Sequence, residues 1–89
     1  MTRRDVRITN RLGLHARAAA RFVHTANRFR ARITAVRDGR SMDGKSILGI
    51  LLLAASQGST LTLEAEGEDE EEALDALARL VEGGFGEEA

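Results

Sequence analysis

Apolar and polar residues alternate in three segments of the chain, and this period of two predicts half-buried β-strands. The segments and their inward-facing positions are residues 4–9 with Val6 and Ile8, residues 31–36 with Ala31, Ile33 and Ala35, and residues 59–66 with Leu61, Leu63 and Ala65. The second segment is followed by Asp38-Gly39, a dipeptide typical of two-residue hairpin turns. A short edge strand is therefore expected at residues 40–43.

Three other segments repeat their apolar residues every three or four positions, which predicts amphipathic helices. The predicted helices span residues 16–29, 46–53 and 70–82. In the first and last of them, the residues expected to face the core are Ala19, Phe22, Val23 and Ala26, and Ala73, Leu77, Leu80 and Val81, respectively. The order βαββαβα favours an α+β open-faced sandwich, with helices on one face of a sheet. Gly83-Gly84-Phe85-Gly86 is expected to end the last helix, so residues 83–89 are predicted to be a frayed tail.

The middle helix is apolar on nearly every side. Ile50 and Leu53 share one face and are expected to join the core, which leaves Ile47, Leu48 and Leu51 as a partly exposed patch. The alternative is that all of them are core, because helices that are apolar all round are usually buried.

The most informative chemistry lies where the first helix begins. His15 is predicted near its N-cap, where the unpaired amides of the first turn, at Ala16, Arg17 and Ala18, and the helix dipole favour an anion. The same field disfavours imidazolium, so His15 is expected to be neutral and nucleophilic, with Arg17 holding a phosphoryl group. This arrangement favours a phosphohistidine site. The alternative is a polar N-cap beside a solvated arginine.

A second motif suggests a different function, nucleotide binding, because residues 39–46 match the P-loop pattern G-x-x-x-x-G-K-[ST] literally. P-loops work in larger parallel sheets with a separate magnesium-binding Asp, whereas Asp38-Gly39 fits a hairpin turn better. A small nucleotide-binding protein is therefore kept only as an alternative.

Composition narrows the class of protein. The 89 residues suffice for one domain, here taken as residues 1–89. A chain without Cys has no disulfide framework and no thiolate metal site, and with two His a multi-histidine metal site is implausible, so no metal and no cofactor are expected. The start of the chain is charged, which argues against a secretory signal, and the longest apolar stretch, residues 50–55, is too short to insert into a membrane. We expect a cytoplasmic protein.

Charge is distributed unevenly along the chain. Residues 1–45 contain 12 Lys and Arg against three Asp and Glu, whereas residues 46–89 contain one against 11. Arg11, Arg17 and Arg21 lie near His15 in the sequence, so an acidic partner or a phosphate would be steered there. A nucleic-acid-binding module is the rival interpretation, weakened because the chain has three Phe and no Tyr or Trp for stacking. No nucleic-acid partner is expected.

Several motifs together resemble one known family. They are Gly13-Leu14-His15-Ala16-Arg17 followed by Ala18-Ala19-Ala20, Lys45-Ser46-Ile47-Leu48-Gly49, the turn Ser56-Gln57-Gly58, and the acidic run Glu66-Gly67-Glu68-Asp69. The chain closely resembles the histidine-containing phosphocarrier (HPr) family of the phosphoenolpyruvate-dependent phosphotransferase system. Many members carry proline where this chain has Ala18, and the nitrogen-related, NPr-like branch often lacks it, so the branch stays open.

The resemblance implies a four-stranded antiparallel sheet and a carrier that is not itself an enzyme. His15 would accept a phosphoryl group from phosphoenolpyruvate-charged enzyme I, with Arg17 and the helix amides holding its oxygens, and pass it to an enzyme IIA-type acceptor. Partners would dock on Ile47, Leu48 and Leu51, with Arg21 and His24 at the rim. Ser46, a good N-cap by position, would be phosphorylated by an HPr serine kinase/phosphorylase. A carrier that exchanges partners is expected to be a monomer.

Overall fold

Residues 1–87 are described by the structure, a computed structural model. Four strands and three helices follow one another in the order βαββαβα, and one short 3₁₀ turn comes after them. The elements are β1 (Thr2–Arg7), α1 (Ala16–Ala26), β2 (Arg32–Arg37), β3 (Arg40–Asp43), α2 (Ile47–Leu52), β4 (Thr60–Glu66), α3 (Glu70–Glu82) and the 3₁₀ turn Gly84–Gly86.

The strands form one antiparallel sheet in the order β1-β4-β2-β3. Its register places alternate residues of neighbouring strands side by side, such as Val6 with Leu61 and Ala35 with Leu63. These four side chains are at most 1% exposed, because they face the helices. The predicted α+β open-faced sandwich with a four-stranded antiparallel sheet is confirmed.

The helices bury the faces that periodicity predicts. In α1 all four predicted inward residues are at most 7% exposed, and in α3 Ala73, Leu77 and Val81 are fully covered. Leu80 is only half-buried, and Leu74 takes the inward position instead. Helix α1 ends at Ala26 rather than residue 29, because the last turn tightens: the Arg28 amide donates to Thr25 and the Phe29 amide to Ala26.

The P-loop-like segment forms a hairpin and an edge strand. Asp38 and Gly39, with φ of 50° and 78°, form the two-residue turn between β2 and β3, and Arg37 pairs with Arg40 across it. The Lys45 ammonium donates to the Phe29 carbonyl at 2.7 Å. The lysine that a P-loop would offer to a phosphate thus binds the turn that follows α1.

The predicted frayed tail is wrong for residues 83–87. Phe85 is only 1% exposed, and Gly84–Gly86 turn tightly to bring its ring back into the core. The buried ring and two hydrogen bonds, from the Arg21 guanidinium to the Phe85 carbonyl and from the Glu87 amide to the Gly84 carbonyl, together oppose the entropy that fraying would release. Residues 88 and 89, the remainder of that prediction, lie outside the part of the chain that the structure describes.

Candidate functional site

A glycine turn fixes the chain just before α1. Gly13 has a φ of +64°, and a Cβ there would come within 2.5 Å of the Ala55 carbonyl oxygen. The next amide, that of Leu14, donates to the same oxygen at 2.9 Å, and the Leu14 side chain is 5% exposed. The turn therefore needs glycine, and the residue that follows enters the helix from a rigid support.

His15 is the N-cap residue of α1, as the sequence predicts. Its backbone is extended, with φ of −73° and ψ of 176°, and its side chain makes no capping hydrogen bond. The first intrahelical bond runs from the Ala19 amide to the His15 carbonyl at 2.9 Å. The amides of Ala16, Arg17 and Ala18 therefore precede the first hydrogen bond of the helix, an arrangement that favours an anion.

The His15 ring contacts the carboxylate of Glu87, a contact that the sequence does not predict. Its side chain is 26% exposed, and Nε2 lies 2.5 Å from Oε2 of Glu87. Burial raises the pKa of Glu87, but hydrogen bonds from Asn10 and His15 and the nearby charge of Arg21 outweigh it, so the pKa lies below its ordinary value. Glu87 is therefore ionised near neutral pH and accepts a proton that Nε2 donates.

The basic residues of α1 take different positions. Arg17 and His24 are exposed and line a shallow groove of about 410 Å³ together with Ala20, Arg21, Thr25 and Leu80. The Arg21 guanidinium donates to the Phe85 carbonyl, which the sequence did not predict. His24 lies nine residues beyond His15, a rise of about 13 Å along the helix, so the structure does not bring the two rings together.

Helix α2 presents the predicted apolar patch beside α1, against which it packs. Ile47 and Leu48 are 46% and 68% exposed, whereas Leu51 is half-buried against the core. Leu52, which lies outside the predicted patch, is 51% exposed. Ile50 and Leu53, the residues predicted to be core, are at most 1% exposed, so the alternative that the whole helix is buried is wrong.

Ser46 caps α2. Its Oγ accepts the Gly49 amide at 3.1 Å, and its side chain is half-buried. The serine hydroxyl thus stabilises the start of α2, whether or not it also has a regulatory role.

Two site residues were missed from the sequence. Glu87 is 72 positions from His15, and no local pattern links them. Asn10 is 1% exposed, and its Nδ2 donates to the Gly13 carbonyl and to Oε1 of Glu87. An Asn shortly before a glycine turn is a recognisable turn residue, but nothing in the sequence indicates its contact with the carboxylate.

Comparisons with known proteins agree with this geometry. A family model described as "PTS HPr component phosphorylation site" matches residues 2–83. The phosphocarrier protein HPr of Cupriavidus necator is 51% identical over 87 residues, 98% of each chain. The crystal structure of HPr-C-His from Thermoanaerobacter tengcongensis superposes with a TM-score of 0.96 at 48% identity over all of both chains. An HPr dimer from that organism superposes at 0.78, with 48% identity, over 98% of this chain and 100% of the other.

The chain belongs to the HPr family. It is a phosphocarrier of the phosphotransferase system, and the nucleotide-binding and nucleic-acid-binding alternatives are not favoured. Among residues 1–87, no helix is long and apolar enough to cross a membrane.

Proposed function

We propose that His15 is the phosphoryl acceptor and donor, and that Nδ1 is its reactive atom. The observation that supports this most directly is the placement of His15 at an uncapped helix start, with Nε2 bound to Glu87. In a neutral imidazole whose Nε2 donates, Nδ1 holds the lone pair. A nucleophilic nitrogen therefore lies at the end of a helix whose amides favour phosphate.

The phosphoryl oxygens are held by two kinds of donor. The backbone amides of Ala16, Arg17 and Ala18 supply fixed dipoles, and the exposed Arg17 guanidinium supplies charge. Because the backbone amides are fixed by the start of α1 before the phosphoryl group arrives, transfer needs little reorganisation of the backbone. The transfer itself requires no metal and no cofactor, and the chain acts as the substrate of its partners rather than as an enzyme.

The partners dock beside His15. Phosphoenolpyruvate-charged enzyme I binds the partly exposed patch of Ile47, Leu48 and Leu51, with Arg21 and His24 at the rim, and an enzyme IIA-type acceptor later uses the same surface. Sharing one surface ensures that donor and acceptor bind in turn. We expect a cytoplasmic monomer, and light scattering at working concentration tests the monomer against the dimer named for a related HPr.

The acceptor is tested by intact mass. With phosphoenolpyruvate and enzyme I, the wild-type protein should gain one acid-labile phosphate and His15→Ala none, because His24, the other histidine, lies in the last turn of α1 and not at its start. His24→Ala is the matched control and should gain one phosphate like wild type. Phosphate on His15→Ala, or its loss in His24→Ala, would assign the wrong acceptor.

Ser46 is proposed as a regulatory phosphorylation site. A dianion at the α2 start lies beside the docking patch, where it would repel an acidic partner. Ser46→Asp should therefore slow phosphorylation by enzyme I about tenfold, since each 1.4 kcal/mol of lost binding is a factor of ten. Ser46→Asn also caps a helix but adds no charge, so it should react like wild type. Equal rates for the Asp and Asn variants would exclude regulation through charge.

A further inference from the structure

The end of the described chain is folded onto the functional site. Glu87 lies at the His15 ring, with its carboxylate 16% exposed, and is held there by both carboxylate oxygens. Oε2 faces His15 Nε2 at 2.5 Å, and Oε1 accepts from Asn10 Nδ2 at 3.0 Å. Two contacts of defined geometry distinguish this arrangement from a surface carboxylate that happens to approach a histidine.

The segment that delivers Glu87 is anchored independently of His15. Phe85 is 1% exposed, its carbonyl accepts from the Arg21 guanidinium, and the Glu87 amide donates to the Gly84 carbonyl at 2.9 Å. These contacts fix the backbone on both sides of Gly86. The carboxylate is therefore preorganised by the core and by α1.

Asn10 connects this carboxylate to the turn that supports His15. Its Nδ2 donates at 2.8 Å to the Gly13 carbonyl as well as to Glu87, so both amide hydrogens are used. The residue is 1% exposed. A buried amide that donates to both acceptors fixes the position of the Glu87 carboxylate relative to the Gly13 turn. Asn10, Glu87 and His15 thus form a continuous chain of hydrogen bonds.

We propose that Glu87 is a positioning residue for phosphoryl transfer: it selects the Nε2–H tautomer of His15, orients the ring and balances the positive charge that the ring gains on phosphorylation. The inference rests on the proposed role of His15. Carboxylates orient histidines in the same way when the other ring nitrogen binds a metal or serves as a base.

The transfer step balances without any further reactant. The Nδ1 lone pair attacks phosphorus, the Nδ1–P bond forms, and the bond between phosphorus and the donor breaks, its electron pair leaving with the donor. The Nε2 proton stays between Nε2 and Glu87, so the phosphorylated ring is cationic and faces an anion. Transfer to the next acceptor reverses the step, and the ring leaves as neutral Nε2–H imidazole.

The tautomer is tested first, and this needs no partner protein. Long-range ¹H–¹⁵N NMR of wild type, under conditions where His15 is neutral, should show a protonated Nε2 and an unprotonated Nδ1. In Glu87→Gln the two nitrogen shifts should move towards each other, because an amide can accept from or donate to the ring. Glu82→Gln removes the same charge from the exposed end of α3 and should match wild type. Unchanged shifts in Glu87→Gln would overturn the proposal.

The rate of phosphorylation is the second readout. Glu87→Gln should be phosphorylated about tenfold more slowly than wild type, as expected for loss of a hydrogen bond to a charged group, whereas Glu82→Gln should not slow. An unchanged or faster rate would overturn the positioning role, and a faster one would show that the carboxylate repels the incoming group. Phosphate on His15→Ala would instead refute the proposed acceptor, while the tautomer result would still stand.

Discussion

Ala18 is the residue at which the chain departs from many of its relatives, and it carries a backbone donor that proline would lack. It is the third residue of α1, is fully buried, and its amide precedes the helical ladder. If this amide binds the phosphoryl group, its loss should be felt in transfer and not in the fold alone.

Ala18→Pro should therefore slow phosphorylation or shorten the lifetime of the phosphohistidine by about three- to tenfold, the effect of one neutral hydrogen bond. Stopped reactions followed by intact mass give both quantities. Ala18→Gly retains the amide and controls for the altered side chain. If the Pro variant matches wild type in rate and lifetime, the amide takes no part.

At this scale the sequence is informative where chemistry is local. His15, Arg17 and Ser46 could be placed because a helix start is visible in the sequence as a turn followed by a periodic segment. Glu87 and Asn10 could not be linked to His15, because their contacts depend on how the end of α3 packs against α1.

At the scale of elements, Asp69 joins α3 to the loop before β2. It is the N-cap residue of α3 but caps the other chain segment: its carboxylate accepts the amides of Arg30 and Ala31, both at 2.9 Å. The Arg30 hydrogen bond is the main cause that lowers the pKa of Asp69, against a smaller opposing effect of burial. The charged form is therefore preferred in the folded state.

A lowered folded pKa stabilises the protein above the unfolded value, about 3.9 for Asp, and this contribution is lost as pH falls through the folded value. Asp69→Asn should lower the free energy of unfolding at pH 7, and the difference from wild type should shrink towards zero at the acid end. Urea unfolding between pH 7 and 3 measures this. Glu68→Gln, at an exposed neighbour, should show no such trend. A difference independent of pH would exclude the charge as its cause.

Element boundaries show where periodicity stops being informative. The span of α3 is predicted to the residue, because acidic residues begin it and glycines follow it. The last turn of α1 is overpredicted, because an apolar Phe29 continues the pattern after the backbone has tightened. The sequence predicts fraying at Gly84–Gly86, where the structure has a 3₁₀ turn, because glycines indicate flexibility and nothing in the sequence shows that the Phe85 ring between them is buried.

At the scale of the molecule, the uneven charge of the sequence becomes a pattern in space. Acids of the second half pair with basic residues of β1: Arg3 with Glu64 on the neighbouring strand β4, and Arg4 with Asp75 on α3. Arg11 and Arg17, which flank His15 in sequence, are exposed and form no ion pair among residues 1–87. Positive charge thus remains beside His15 in the sequence.

This charge should steer an acidic partner, so phosphorylation by enzyme I should slow about tenfold between 0.05 and 0.5 M salt. Arg11→Gln should reduce both the low-salt rate and its salt dependence. Arg3→Gln, on the sheet, removes the same charge and should do neither. A rate independent of salt would mean that docking depends on the apolar patch alone.

The sheet order also fixes when a nascent chain becomes competent. β1 is an edge strand that pairs with β4, so Thr2 cannot pair with Ala65 until a strand made much later has been synthesised. The β2–β3 hairpin joins strands that follow one another in the chain and can close early. The contact of His15 with Glu87 forms later still, because it requires the segment that contains Phe85 and Glu87. An incomplete product of translation therefore contains the histidine without its carboxylate and the first strand without its neighbour. Its sheet has an unpaired edge that is exposed to proteases before the chain can act as a carrier.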